Sequence, residues 1–530
     1  MATKLSIKSL RRAVAHICKF GDTDVFPHLC ELSFLEECAE DIVAELASLD
    51  LDTFQPAQAI EALSPKSRYG FRIVHQLQLL EALLLTASAI EIGADLEKSK
   101  ASADGFGPFA YRFEDSAEAS LFVAEHTYRD WLDWQVNVDE QDYKAVIFTD
   151  IADFYQRIYI HRVENMLDSV CSNKGVTRFV VKSINNIRSK QSYGIPVGCS
   201  ASRILAEAVL ADSDAALLNE SIEFTRFVDD YRIFVRLDQD PYEILSLLAE
   251  QLFLSEGLTL NGQKTRVLTI KSYREDLEDK LPQAFDKADG MALQALSNSI
   301  YFDEDPDPDE LEQLRSMNLV GMLEGAVEKE VWDFGYIKSL FRALRLASSS
   351  GATDYIMENL EILLPFAKEI LLYFHGLKEA GEQIDASHKE RVLAVLKTGA
   401  ARAVPTIHAW LLEFFVRGVF VIDHRELKTV GLENPVSERQ ISLIRGLNAD
   451  INHFRRNKTK FDGIGVFSKL PFILGASCLP KDEYETWINA IKGRMNRPLD
   501  SLFCQWAKSK AGKLDKLLVA SVPKVDEAAD

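Results

Sequence analysis

The chain has 530 residues, 47% of them hydrophobic, and a formal net charge of −21. That length exceeds one ordinary core and implies two to four domains, while the acidity excludes bulk electrostatic affinity for nucleic acid. Seven scattered cysteines without CxxC or CxxxC spacing exclude a disulfide frame and a cysteine zinc site, and fit reduced thiols in a cytoplasmic protein.

The N-terminal stretch "MATKLSIKSLRRAVAHICKF" is charged and amphipathic and lacks the apolar core of a cleavable leader. Residues 1–140 read as mostly helical, with loops at "FGDTDVFP" and "ADGFGPFAYRF". Between them "LQLLEALLLTASAIEIGADLE" is interrupted by Glu81 and Glu91, which makes it a buried helix rather than a membrane span. "SPKSRYGFRIVHQL" supplies Lys66, Arg68 and Arg72, and "AYRFE" supplies Arg112.

Residues 141–285 mix strands and helices. "KAVIFTDI" predicts a buried strand ending near Asp150. Ser169 to Ala206 contains no Asp or Glu but has Lys174, Arg178, Lys182, Arg188, Lys190 and Arg203. Such a strip is either a confined phosphate-binding surface or a solvated helix face. "SRILAEAVLADSDAALL" predicts a helix opened by a serine, and "PYEILSLLAEQLFLSEG" a helix closed by Gly257. In "RFVDDYRIFV" two apolar runs flank Asp229 and Asp230, the pattern of a hairpin tip. A tight hairpin turn favours Asn-Gly or Asp-Gly. Two adjacent aspartates break that rule, and such breaks concentrate at functional sites.

"DEDPDPDE", at 303–310, predicts an exposed loop or boundary. From 286 to 530 amphipathic helices dominate. Ile337, Leu340, Phe341 and Leu344 share one helical face, as do Ile407, Trp410, Leu411 and Phe414. Helix pairs of roughly 40 residues suit a HEAT-like solenoid, and without a repeated consensus an irregular helical array fits equally.

A strand ending in one carboxylate, followed by a hairpin tipped with two, is the arrangement by which nucleotidyl-transfer sites hold two divalent ions. Magnesium takes hard oxygen ligands and leaves the rest of its shell to water and phosphate. In this order the motifs resemble the reverse-transcriptase family. "TDIADFYQRIYIH" is similar to its first palm motif, "GIPVGCSASRILAEAVL" to its glycine-proline-glycine motif, "FVDD" to its catalytic hairpin, and "GLTLNGQKT" to the motif that follows.

The resemblance implies an α+β right-hand polymerase: fingers and an N-terminal helical part over 1–140, a palm over 141–285, and an all-α HEAT-like repeat domain over 286–530 in place of a thumb. It makes Asp150, Asp229 and Asp230 catalytic, with two magnesium (or manganese) ions on Asp150 and Asp229 and Ile151 beside them at the metal and nucleotide. Gly198 would start the second motif's turn, and Ser202 matches the family serine. Lys264 would face the triphosphate. Tyr155, five residues after Asp150, would exclude a ribose 2′-hydroxyl and so select deoxynucleotides. Arg72 is the favoured triphosphate grip from the fingers, and Lys182, Arg188, Lys190 and Arg203 the nucleic-acid contacts. Arg203 alternatively pairs with Glu207 along its own helix. His161 is expected to pack and hydrogen-bond structurally.

Two departures stand out. Val197 replaces the glutamine that usually touches the incoming nucleotide, and Arg203 replaces a proline. The combination of "GDTDVFP", "GIPVGCSASRILAE", "FVDDYRIF" and a long helical-repeat C-terminus resembles the abortive-infection, defence-associated bacterial branch. That branch implies antiphage function, homo-oligomers (trimers or hexamers), no membrane, and DNA primed from a protein hydroxyl and left attached to it. Synthesis there is untemplated or directed by a noncoding RNA. The rival readings are conventional primer-dependent, RNA-templated reverse transcription and an idle palm serving as a binding scaffold.

Overall fold

A computed structural model describes residues 2–280 and 308–520, apart from 24, 103, 104, 140, 189, 190, 432 and 433. Its centre is a five-stranded mixed sheet in the order β3–β5–β6–β4–β7. The strands are β3 (Gly107–Pro108), β4 (Tyr143–Asp150), β5 (Glu223–Phe227), β6 (Asp230–Arg236) and β7 (Arg266–Thr269). β3 runs parallel to β5, and the other pairings are antiparallel.

Successive strand side chains point to opposite faces, and both faces of this sheet are covered. Val146, Phe148 and Phe234 pack with Trp131, Tyr273 and Leu277 on one side. Ile147, Ile233 and Val235 join the large core on the other. Burial on both faces is why β4 reads as an unbroken apolar run instead of an alternating one.

The N-terminal part contains more strand than its sequence predicts. β1 (Ile60–Pro65) and β2 (Phe71–Gln76) form an antiparallel ribbon. "ADGFGPFAYRF", expected as a loop, contributes β3 through Phe109, whose N–H donates to the Arg226 carbonyl at 2.9 Å. The ribbon is anchored at two points. The His75 amide donates to the Val197 carbonyl at 3.2 Å, and the Thr406 hydroxyl donates to the Leu63 carbonyl at 2.8 Å.

The helix Leu79–Ser99 is buried along most of its length. Its Glu81 accepts from the Ala57 amide at 2.8 Å and pairs with Arg497. No helix among the described residues is long and apolar enough to cross a membrane.

In the C-terminal half the helices Phe334–Leu346, Ala367–Glu379, Pro405–Val416, Pro435–Leu447 and Val466–Gly475 stack in succession. Helix lengths range from 5 to 13 residues, so the array is irregular. Residues 303–307 of the acidic segment lie outside the described residues, and the helix Pro308–Ser316 takes the remainder. The last helices return to the first ones. Phe503 packs edge-on against Phe34 at 5.2 Å, and Trp506 donates to Glu37 at 3.2 Å. One apolar core therefore runs from Leu5 to Leu518.

Candidate active site

The ladder between β4 and β6 sets Asp150 directly opposite Asp230. The β5–β6 hairpin closes at the pair Phe227 and Asp230, so its two-residue turn is Val228–Asp229. The conformational burden of the missing glycine falls on Val228, which has φ +58°. A β-branched residue in the left-handed region is a genuine outlier, costing on the order of 1–3 kcal/mol. Two backbone contacts hold it there. Arg226 Nη1 donates to the Val228 carbonyl at 2.9 Å, and the Ile151 amide donates to the Asp229 carbonyl at 3.0 Å.

Three carboxylates thus converge on neighbouring strand ends, and each has a distinct environment. Asp150 is buried and accepts from Lys264 Nζ at 2.5 Å and Asn261 Nδ2 at 3.3 Å. Asp230 is clamped by Arg232, whose Nη1 lies 2.8 Å from Oδ1. Arg232 itself stacks over Phe148 and Trp131, at 4.2 and 4.9 Å. Burial, followed by the charge of Asp150 and then of Asp230, pushes the Asp229 carboxyl up to about 7. Burial works against the Lys264 charge. Its hydrogen bond to Asp150 and the three carboxylates nevertheless lift its pKa above the ordinary lysine value.

Three carboxylates against Lys264 and Arg232 leave one negative charge in excess. Among the described residues, no group of three or more His, Cys, Asp and Glu side chains is arranged as a ready metal cage. A closed, four-ligand zinc-type site does not fit these residues. Hard carboxylate oxygens, with Asp229 and Asp230 partly exposed, do fit magnesium, which keeps water and phosphate in its shell. Asp150 and Asp229 would hold such ions. The Ile151 side chain is fully buried, so only its backbone could take part.

Tyr155 lies half-buried in the helix Phe154–Arg157, and its carbonyl accepts from the Ile195 amide at 2.9 Å. That bond ties it to the loop containing Gly198, whose φ of +110° suits only glycine. Burial raises the phenol pKa, and the groups acting on it include Tyr111, Arg203, Glu207 and Asp229. Tyr155 therefore shares the electrostatic field of the hairpin. Arg203 stacks over Tyr111 at 5.1 Å. Glu207 is fully buried and binds Arg226 at 2.7 Å. Arg72 sits half-buried on β2, and Gln156 reaches the neighbouring Ile73 carbonyl at 3.4 Å.

Other expected contacts are placed elsewhere. Ser202 is fully buried, its hydroxyl 3.1 Å from the Cys199 sulfur, which removes it from any solvent-borne nucleotide. It is an interior residue of the helix Ser200–Val209, whose N-cap position is Cys199. Lys182 donates to the carbonyls of Asp52 and Phe54, at 3.1 and 2.5 Å, and so fastens a helix to a loop. Arg188 is buried with His75 at 2.6 Å. Arg112 is buried on the carbonyls of Ala101 and Pro108. Lys190 lies outside the described residues. Two cations of the basic strip, Lys182 and Arg188, are thus committed to internal partners. His161 is exposed and 3.2 Å from Glu164, bonded but not packed.

Two groups at the site have no expectation from sequence. Asn261 holds Asp150 through its side chain and through its amide, which donates to the Asp150 carbonyl at 2.7 Å. Arg226 sits fully buried beneath the turn between Asp214 and Glu207. Its signal was present: an arginine inside an apolar strand implies buried acids nearby.

Residues 103–312 match the family model for reverse transcriptase (RNA-dependent DNA polymerase), so the segment carrying these carboxylates is a reverse transcriptase domain. No curated protein matches the chain. Similar solved structures include telomerase from Candida albicans in complex with a TWJ fragment of telomeric RNA, at 12% identity, covering 74% of this chain and 71% of that one, with a TM-score of 0.29. Apo telomerase from Candida tropicalis is similar at 11% identity, with 77% and 72% covered and a TM-score of 0.28. Likeness at those TM-scores carries no conclusion about this chain.

Proposed function

We propose that this reverse transcriptase domain polymerises deoxynucleotides at Asp150 and Asp229. The observation that carries the reading is the hairpin: a strained two-residue turn brings Asp229 beside Asp150, and Ile151 fixes the two strand ends together. Divalent ions bound there would activate the attacking 3′-oxygen and hold the triphosphate. Lys264, half-exposed on Asp150, is placed to trade that contact for a phosphate oxygen. Asp230, held by Arg232, adds negative charge that favours the ions without leaving its partner. Positioning and charge stabilisation suffice for phosphoryl transfer, so no side chain need act as general base.

Tyr155 supports a deoxynucleotide preference, because a half-buried ring in the field of Asp229 suits a wall under the sugar. Tyr155→Ala should open that wall and lower the preference for deoxynucleotides over ribonucleotides by about tenfold or more. Incorporation of both nucleotide sets by both proteins checks it. An active variant with unchanged preference removes Tyr155 from the gate.

Priming from a protein hydroxyl is the second part of the proposal. Long duplexes are held through many phosphate contacts. Here Lys182 and Arg188 are committed to internal partners, on a chain of net charge −21. A tethered hydroxyl supplies the first nucleophile at high effective concentration instead. The antiphage role, the oligomer and a directing noncoding RNA are proposed on the family resemblance alone. The test is incubation of purified protein with dNTPs and magnesium, without primer. DNA that stays on the protein through boiling detergent, and is released by protease, is the expected result. Protein-free products that appear only with an annealed primer-template would establish conventional reverse transcription.

A further inference from the structure

The β1–β2 ribbon takes its position from the helical half. A two-stranded ribbon alone is marginally stable in water, so what it packs on decides where it stands. Directly opposed residues share a face, which puts Ala62 and Val74 together on one side. There they form a small apolar cluster with Val25, Phe26, Ala409 and Val436. Ala409 belongs to the helix Pro405–Val416 and Val436 to the helix Pro435–Leu447. Further contacts run from the base of the ribbon to its tip. At the base Gln76 donates to Asp22 at 2.5 Å, and Trp410 donates to the nearby Val25 carbonyl at 2.8 Å. Midway, the Thr406 hydroxyl holds the Leu63 carbonyl at 2.8 Å. At the tip, Arg68 stacks over Trp332 at 4.2 Å.

The ribbon in turn holds the loop Gly194–Cys199. The Val197 side chain packs against the same apolar cluster. Valine suits that place, because it leaves no polar group unpaired among apolar neighbours. The Val197 backbone is bonded to His75 of β2 in both directions. The His75 amide donates to the Val197 carbonyl at 3.2 Å, and the Val197 amide donates to His75 Nδ1 at 3.1 Å. Upstream in the loop, the Ile195 amide donates to the Tyr155 carbonyl at 2.9 Å and the Gly194 amide to the Ile158 carbonyl at 2.7 Å. A chain of direct contacts therefore runs from the helix Pro405–Val416, through the ribbon and Val197, to Tyr155.

We propose that Val197 is a positioning residue, through which the helix Pro405–Val416 sets the Gly194–Cys199 loop and with it the nucleotide affinity of the site. The effect on nucleotide rests on the polymerase reading; the hold on the loop does not. Contiguous packing and hydrogen bonds carry coupling between distant groups when a change at one end biases the other. The helical array would then govern the site from outside its carboxylates.

The test follows amide hydrogen exchange of residues 193–199 in the full chain, alongside KM and kcat for dNTP incorporation with magnesium. Thr406→Val removes the bond to the ribbon without altering the loop itself. Val197→Ala removes packing from the cluster, and Val197→Ile keeps it. Tyr484→Phe is the control, because its hydroxyl donates to the Ile473 carbonyl at 3.0 Å elsewhere in the array. Exchange of 193–199 should quicken by about tenfold in Thr406→Val and Val197→Ala. It should stay near wild type in Val197→Ile and Tyr484→Phe. The dNTP KM should rise severalfold in the same two variants, with kcat changed less than KM. Should Thr406→Val fail to fold, Trp332→Leu takes its place by removing the platform under Arg68. Exchange left unchanged by the array variant, or quickened equally in Tyr484→Phe, overturns the coupling. Quickened exchange with an unaltered KM overturns the positioning role. Absence of incorporation in wild type refutes the polymerase reading and the nucleotide effect with it, while the exchange pattern still decides the hold on the loop.

Discussion

On the proposed function, Asp229→Asn is expected to cut nucleotide incorporation by about a thousandfold or more, because Asp229 would hold a divalent ion whose charge is worth several kcal/mol in the transition state. The same variant should be more stable than wild type in chelating buffer at pH 8. Partial burial, then the charges of Asp150 and Asp230, push the Asp229 carboxyl up to about 7, against an ordinary 3.8. A carboxyl whose pKa is raised by folding contributes stability that is present in full below about 4. That contribution is lost as pH rises through about 7. Ionised Asp229 therefore opposes the fold by up to roughly 4 kcal/mol, reduced by screening because the side chain is partly exposed. Asparagine keeps the shape and removes the charge. Denaturant unfolding at pH 5 and pH 8 reads the difference between the two proteins, which should widen at the higher pH. Incorporation by the variant at wild-type rate would remove the carboxylate assignment, and parallel pH curves would remove the electrostatic account of the hairpin.

Arg226→Met is expected to cost roughly 3–5 kcal/mol of stability, the usual consequence of leaving buried charges without their partner. The guanidinium is fully buried. Nε and Nη2 contact Asp214 at 2.9 and 2.6 Å, and Nη1 contacts Glu207 at 2.7 Å and the Val228 carbonyl at 2.9 Å. Tyr231 donates to Asp214 at 3.4 Å from the adjoining strand. Methionine fills the space but leaves two carboxylates and a strained turn unanswered. Arg226→Lys keeps a positive charge without the planar fork. It should lose less stability, yet still release Val228 and so impair incorporation more than folding. Unfolding curves for the two variants decide the matter. A loss below about 1 kcal/mol in the methionine variant would show that the buried charges are not the support of the hairpin.

The carboxylate-bearing end of the sheet is legible because its signals are local. β4 is an apolar run buried on both faces and ending in Asp150, and the hairpin shows two apolar runs around its turn. What sequence could not supply was which side chains fold away from the site. Lys182 looked like a phosphate contact, yet its acceptors are carbonyls 128 and 130 residues distant. Arg188 is buried against a histidine 113 residues away. β3 is two residues long and exists through its pairing with β5, so no periodicity could announce it. The turn falls one residue earlier than the two aspartates suggest, at Val228–Asp229, and the positive φ falls on Val228.

The central claim is that Asp150 and Asp229 form a divalent-ion nucleotidyl-transfer site. The most direct measurement follows labelled dNTP incorporation into acid-insoluble product by purified wild type and Asp150→Asn, each with magnesium and with chelator. Incorporation confined to wild type with magnesium is the predicted result. Incorporation that persists in chelator, or in Asp150→Asn at the wild-type rate, would contradict the account.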